Sequence, residues 1–143
     1  ITAQPLVTEA NVYIACEDRS LYALDRRTGE DQWIHRAEAP LTAGPVLLNN
    51  TLYLAIPGKS LLALDPDTGE ELWRLNQSRL PVSFRHGELL LTGNTRLTVV
   101  DARSGDVVSE AVTDALHRIV PGPEGSAIAV SEAGELLRLN PAR

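Results

Sequence analysis

The 143-residue chain is predicted to be all-β, a β-propeller of four-stranded antiparallel blades. Three observations point there. The sequence repeats itself about every forty residues, and each repeat holds four short β-prone runs separated by turn residues. No stretch sustains an apolar stripe at helical spacing.

Residues 1–40 and 41–80 align without a gap, with 14 of 40 positions identical. Ile1-Thr-Ala-Gln-Pro5 faces Leu41-Thr-Ala-Gly-Pro45, and Val12-Tyr-Ile-Ala15 faces Leu52-Tyr-Leu-Ala55. Ser20 to Asp25 faces Ser60 to Asp65, and Thr28-Gly-Glu30 with Trp33 faces Thr68-Gly-Glu70 with Trp73. A third copy, 81–116, follows at an offset of 36, with Asp101 and Ser104-Gly105-Asp106 in place of Asp65 and Thr68-Gly69-Glu70. A fourth, fainter copy occupies 117–143, where Ser126 to Val130 and Leu136 to Asn140 stand for Thr51 to Ala55 and Leu61 to Asp65. In the second copy GPVLLNN, TLYLAIPG, SLLALDPDTG and EELWRLN read as four strands, punctuated by Asn-Asn, Pro-Gly and Asp-Thr-Gly. The same parsing gives about fifteen strands in all, or ~3.75 blades, with the last blade lacking its outer strand.

The stretch ALDPDTGEELW, residues 63–73, carries two Asp and two Glu, so it must be weighed as chemistry. Its sister, ALDRRTGEDQW at 23–33, decides for a turn, because catalytic groups are normally single-copy. Asp25 and Asp65 are expected to accept backbone N–H groups of the turn that follows them. Gly29 and Gly69 are expected to supply a positive φ at its end. The Thr28 and Thr68 hydroxyls can add a local bond, and Asp101 with Gly105 repeats the pattern. Trp33 and Trp73 then offer large apolar faces on the strand leaving each turn. A calcium loop would need oxygen ligands at alternating positions and a Glu twelve residues from the start. Asp65 and Asp67 begin such a pattern, but it lapses there, and the sister copy has Arg27 in place of Asp67.

Composition narrows the function. Net charge is −6 with acids and bases interspersed, which argues against a nucleic-acid partner. No apolar run approaches eighteen residues, so direct membrane insertion through a helix is not expected. The one cysteine, Cys16, allows no internal disulfide and reads as a small buried hydrophobe, since its repeat partner is Ile56. His35, His86 and His117 stand apart without metal-ligand spacing; His86 precedes Gly87 at an expected hairpin tip. Catalytic, cofactor-binding and metal-binding residues are therefore expected to be absent.

A small residue, Asp, Thr-Gly and then Trp at this spacing resembles the quinoprotein-type propeller repeat, with its tryptophan-docking motif. The resemblance covers the whole chain, specific in the first two copies, degenerate in the third and partial in the fourth. It implies that each Trp lies between the small residue opening its own motif and the Gly peptide of the adjacent motif, roles that Ala23 with Trp33 and Ala63 with Trp73 fit. In the third copy Ser109 replaces Trp and Val99 replaces the small residue. Dehydrogenases of this kind hold pyrroloquinoline quinone on calcium beside a vicinal cysteine pair, which a chain with one cysteine lacks. The resemblance extends to the lipoprotein propeller of the bacterial barrel-assembly machinery and to sensor propellers attached to kinases. It thus implies a non-catalytic scaffold or sensor module for protein–protein interaction, outside the cytoplasm, without a cofactor; the alternative is a fragment of a quinone-dependent dehydrogenase. Rings of this kind have seven or eight blades, so the chain reads as the C-terminal half of one. The expected partner is a protein supplying the remaining blades, or a second copy joined at the open edge near Leu136, Leu137 and Leu139.

Overall fold

A computed structural model of the chain describes residues 3–93, 96–112, 116–121, 127–131 and 136–139, and from residue 111 onward the backbone alone. Fifteen strands and no helix lie among the described residues. They form three four-stranded antiparallel sheets and one of three strands, each a meander in chain order. The chain is thus all-β, and its sheets are those of a β-propeller. Among the described residues no helix is long and apolar enough to cross a membrane. Contacts divide the chain into two units, Ile1–Ser78 and Arg79–Arg143, each holding two sheets.

The first unit's first sheet contains β1 (Leu6–Val7), β2 (Asn11–Ala15), β3 (Ser20–Asp25) and β4 (Asp31–Arg36). Its second contains β5 (Val46–Leu48), β6 (Thr51–Ile56), β7 (Ser60–Leu64) and β8 (Glu71–Leu75). Turn chemistry sets the boundaries. Asn49 and Asn50 both adopt positive φ, 47° and 57°, which makes the two-residue connection that matches strand twist. Between β6 and β7, Lys59 N–H donates to Ile56 O at 3.1 Å across Pro57-Gly58, with Gly58 at φ 67°. Between β2 and β3 the equivalent bond, Arg19 N–H to Cys16 O at 3.2 Å, closes across Glu17-Asp18. There Arg19 itself takes the left-handed conformation, φ 69°.

Strand alternation sorts each sheet into two faces. The face of the first sheet bearing Tyr13, Ala15, Leu21 and Ala23 packs on the face of the second bearing Leu52, Leu54, Ile56, Leu62 and Leu64, in one buried cluster. All five of the latter are fully buried; each contributes about 1.5–3 kcal/mol relative to exposure. The second sheet is buried on its other face too, for Leu61 and Ala63 are also inaccessible. The first sheet is not. Val12, Ile14, Cys16 and Leu24, on its far face, are only half-buried, and Val7 and Ile34 on the same face are 57% and 45% exposed. This corrects the expectation for Cys16. Its repeat partner Ile56 is covered by a neighbouring sheet, whereas the Cys16 face is open.

In the second unit β9 (Leu80–Arg85), β10 (Glu88–Thr92), β11 (Arg96–Asp101) and β12 (Val107–Val112) form the third sheet. His86 and Gly87, at φ 51° and 80°, make the β9–β10 hairpin tip, and His86 is exposed there. Pro81, which cannot donate to a ladder, lies in the edge strand β9 beside a bulge at Leu90/Leu91. Val82 and Leu90 pack with Leu97 and Val99. The fourth sheet contains β13 (Leu116–Pro121), β14 (Ala127–Ser131) and β15 (Leu136–Leu139), with β15 paired to β14 at its edge. His117 lies in β13, and its side chain, with those of Leu136, Leu137 and Leu139, lies outside what is described, as do Glu135 and Asn140 altogether.

Candidate functional site

The acidic turns come first, because they carry most of the repeated polar groups. In the first, Asp25 Oδ1 accepts the backbone N–H of Arg27 and of Thr28, both at 2.8 Å. Asp25 O accepts Gly29 N–H at 2.8 Å, and Thr28 Oγ1 accepts Glu30 N–H at 3.3 Å. Asp65 does the same for Asp67 and Thr68 at 2.8 and 3.2 Å, and Asp101 for Arg103 and Ser104 at 2.8 and 3.3 Å. Gly29, Gly69 and Gly105 close the three turns at φ 76°, 73° and 76°. Each motif aspartate is therefore occupied with main-chain donors. The Thr28 and Arg27 N–H bonds hold the Asp25 carboxyl below the ordinary aspartate range. A carboxylate so committed is a poor base and a poor nucleophile.

The tryptophans occupy equivalent places. Ala23 pairs with Trp33 across β3–β4, and Ala63 with Trp73 across β7–β8, each immediately before a bulge. Val99 pairs with Ser109 at the corresponding bulge of the third sheet. Trp33 lies against the peptide of Gly69: a Cβ there would stand 2.5 Å from Cε3 and 2.6 Å from Cδ2 of the ring. Trp33 Nε1–H donates to Pro66 O at 3.1 Å. So the indole sits between Ala23 of its own sheet and the Asp65–Glu70 turn of the next. Trp73 is 7% exposed.

Two further members of this arrangement were not singled out in the sequence. Tyr13 pairs with Ala23 on the side opposite Trp33, and its hydroxyl donates to Pro66 O at 3.0 Å, in a buried position. The rings of Tyr13 and Trp33 are 5.8 Å apart and tilted by 42°. Tyr53, Ala63 and Trp73 form the same row, with centroids 5.9 Å apart. Burial raises the Tyr53 hydroxyl pKa above the ordinary tyrosine range. The signal was present, since Tyr13 and Tyr53 are identical across the repeat, but it read only as strand propensity.

No group of three His, Cys, Asp or Glu able to hold a metal lies among the described residues. His35 and Cys16 are half-buried, Cys16 as a free thiol. Arg96 pairs with Glu110 at 3.4 Å, and Arg74 with Glu71 at 3.0 Å and with Glu38. A cleft of about 480 Å³ is lined by Glu9, Ala10, Asp25, Arg26 and Arg27, at the first acidic turn.

Sheets joined by an indole stacked on the next turn's glycine define the class as a β-propeller of quinoprotein-like repeats. Within that class, residues 1–86 match the family profile described as outer membrane protein assembly factor BamB, and the chain belongs to that family. No curated protein sequence matches it. Among solved structures it is similar to BamB from Moraxella catarrhalis, 14% identical at a TM-score of 0.70, covering 96% of this chain and 52% of that one. The chain thus spans about half the length of that relative. It is similar to the computationally designed Ika4 protein at a TM-score of 0.79 and 15% identity, covering 99% and 91% of the two chains. Quinohemoprotein alcohol dehydrogenase from Comamonas testosteroni matches at 0.64 and 22% identity, over 80% of this chain and 21% of that one.

Proposed function

We propose that this chain is a non-catalytic protein-interaction scaffold acting outside the cytoplasm in outer membrane protein assembly. The observation that carries the reading is the commitment of Asp25, Asp65 and Asp101 to main-chain N–H groups, within a chain whose residues 1–86 match an assembly-factor family. Repeated carboxylates that build turns leave the rims and outer strands as the variable surface, and propeller proteins bind partners through such surfaces. Leu72 on β8 and Val108 on β12, each 55% exposed, are apolar points on outer strands where a partner chain can rest.

The test is photo-crosslinking in the native bacterium from Leu72 and Val108, paired with quantification of outer-membrane barrels after deletion. Crosslinks to a component that handles barrel precursors, and depleted barrels, are expected. A deletion strain with normal barrels would refute the assembly role. Pyrroloquinoline quinone with calcium should leave the melting temperature unchanged, because only a ligand bound by the folded state raises it. A rise at micromolar quinone would favour the dehydrogenase reading.

A further inference from the structure

We propose that the free edge of β12 is a strand-addition site, where an extended segment of a partner protein joins the third sheet as a further strand. The inference rests on the scaffold reading and names the chemistry of its partner. Sheets guard an exposed edge with charge, proline or cover, because unpaired N–H and C=O groups will pair with another extended chain. The outer strands of the first two sheets are guarded in this way. β4 has Asp31 and Arg36 at its ends, and its Trp33 lies on the Gly69 peptide and donates to Pro66 O. β8 carries Glu71 and Arg74, with Arg74 pairing to both Glu71 and Glu38, and its Trp73 is buried. At the opposite edge of the third sheet, β9 holds Pro81.

β12 has none of these guards. Its sequence, Val107-Val-Ser-Glu-Ala-Val112, holds no Lys, Arg or Pro. Its one charge, Glu110, turns back into the sheet, where the carboxylate accepts Arg96 Nη1–H at 3.4 Å and Thr98 Oγ1–H at 3.3 Å. Ser109 stands where β4 and β8 have the tryptophan that fastens an outer strand to a neighbour. Residues 107 to 110 are exposed in succession, and beyond the bulge Ser109 and Glu110 point to opposite faces, so both faces are open. Val107 and Val108 are 46% and 55% exposed. Threonine would serve strand propensity about as well there; valine adds apolar surface beside the open edge. From Ser109 to Val112 the pairing with β11 is unbroken, and among the described residues no strand pairs with the far side of β12.

The edge selects its occupant. A row of alternating main-chain donors and acceptors is matched by another extended polypeptide, lying about 4.8 Å away. Val107 and Val108 favour β-branched neighbours on the added strand. Because Arg96 already meets the Glu110 charge, the added strand needs no cation opposite it. A basic flank suits the exposed Asp106 that precedes β12 and a chain of net charge −6. The same net charge opposes a second copy of this chain in that place. The partner segment is therefore β-branched and uncharged at its centre, with Lys or Arg at one end.

The probe is a fluorescein-labelled peptide, Lys-Lys-Thr-Val-Thr-Val-Thr-Val, titrated to millimolar concentration into the 143-residue chain and read by anisotropy and by amide hydrogen exchange. Saturable binding is expected, with exchange slowed by about fivefold or more in β12 and unchanged in β4 and β8. The same peptide N-methylated at each central residue keeps its side chains but loses its donors. It should bind about tenfold more weakly or worse. Val108→Lys puts a charge on the edge and should weaken the parent peptide by about tenfold at an unchanged melting temperature. Leu72→Lys on β8 should leave binding as it was. No saturation, equal binding of the N-methylated peptide, or protection in β4 or β8 instead of β12 each overturns the proposal, and none of these needs a variant to fold. Self-association of the chain that Val108→Lys abolishes would give the edge to a second copy and equally overturn it. Normal barrels in the deletion strain with saturable peptide binding would refute the assembly role and keep this site. Depleted barrels without peptide binding would do the reverse.

Discussion

Gly29 and Gly69 make a matched pair in which backbone strain and side-chain contact can be separated. Both close the same acidic turn, at φ 76° and 73°. An alanine in that region costs about 1–2 kcal/mol through its Cβ. Its reduced freedom in the unfolded chain offsets about 0.4–1 kcal/mol of that. Gly29→Ala should therefore destabilise by about 1 kcal/mol, because nothing lies within 4 Å of the new methyl. Gly69→Ala has the same strain, but its methyl would stand 2.5 Å from Trp33 Cε3. Forcing a carbon into such a packed contact costs about 1–3 kcal/mol. If the indole moves aside, the Nε1–H bond to Pro66 O at 3.1 Å is lost too, worth about 1 kcal/mol. Gly69→Ala should then exceed Gly29→Ala by about 2 kcal/mol, read from urea midpoints at an unchanged slope. Repeating both substitutions in a Trp33→Ala background closes the cycle. There the excess at Gly69 should vanish, since the atom it strikes is gone. Equal costs in the parent chain, or an excess that survives removal of the indole, would show that the glycine is required for its φ alone.

Ser20 and Ser60 occupy corresponding positions, but Ser20 Oγ accepts Arg36 Nη1–H at 2.9 Å whereas buried Ser60 Oγ has no partner among the described residues. Ser60→Ala should be neutral or stabilising by up to about 1 kcal/mol, and Ser20→Ala should cost about that much; thermal unfolding of the two variants tests the asymmetry, which a loss at Ser60 would contradict. Trp73→Ala should cost about 3–5 kcal/mol as a buried aromatic, while Glu71→Ala removes only an exposed pairing with Arg74 and should cost under about 1 kcal/mol; similar losses would sink the reading. For Asp25 the folded carboxyl lies below the ordinary 3.8, first through the Thr28 N–H and then the Arg27 N–H. Its stabilising contribution is thus present above that ordinary value and is lost as pH falls through the lowered folded one. A carboxyl-carbon titration should find Asp25 below 3.8, and a value at or above it would show the two N–H bonds to be weak in solution.

Much of the fold was legible because its signals are local. Asn49-Asn50, Pro57-Gly58 and His86-Gly87 mark hairpins by residue type, and the Asp-Thr-Gly turns mark the rest. The repeat, gap-free over residues 1–80 and weaker after them, was enough to count about fifteen strands. What the sequence could not display was which face of which sheet is covered. Cys16 and Ile56 hold the same register position, yet one is half-buried and the other fully buried. Burial is decided by a neighbouring sheet, and no local pattern records whether that neighbour is there. The role of Tyr13 was hidden for a related reason. Its hydrogen bond reaches Pro66, fifty-three residues away, and strand propensity alone accounts for a tyrosine at that position.

The third sheet shows that the cross-strand row behaves as a unit. Where the first two sheets have Tyr–Ala–Trp, the third has Leu90, Val99 and Ser109 in the same register. All three members differ together, in a direction that volume explains. A Trp over a Val would meet two extra methyl groups at the centre of the row. The row is also less covered there, with Leu90 buried, Val99 half-buried and Ser109 exposed. Replacing both aromatics also removes the two donors that would otherwise need a carbonyl acceptor on a following turn. Pro66 presents the other side of that coupling. Lacking an N–H, it cannot make the bond that Arg26 donates to Ala10 O and Ala102 to Gly87 O, both backbone links across the inner hairpin. Its carbonyl instead receives two side-chain donors from the preceding sheet. Within the first unit, cohesion between sheets is therefore written into an aromatic row on one sheet and a carbonyl and a glycine on the next, and these two halves must vary together.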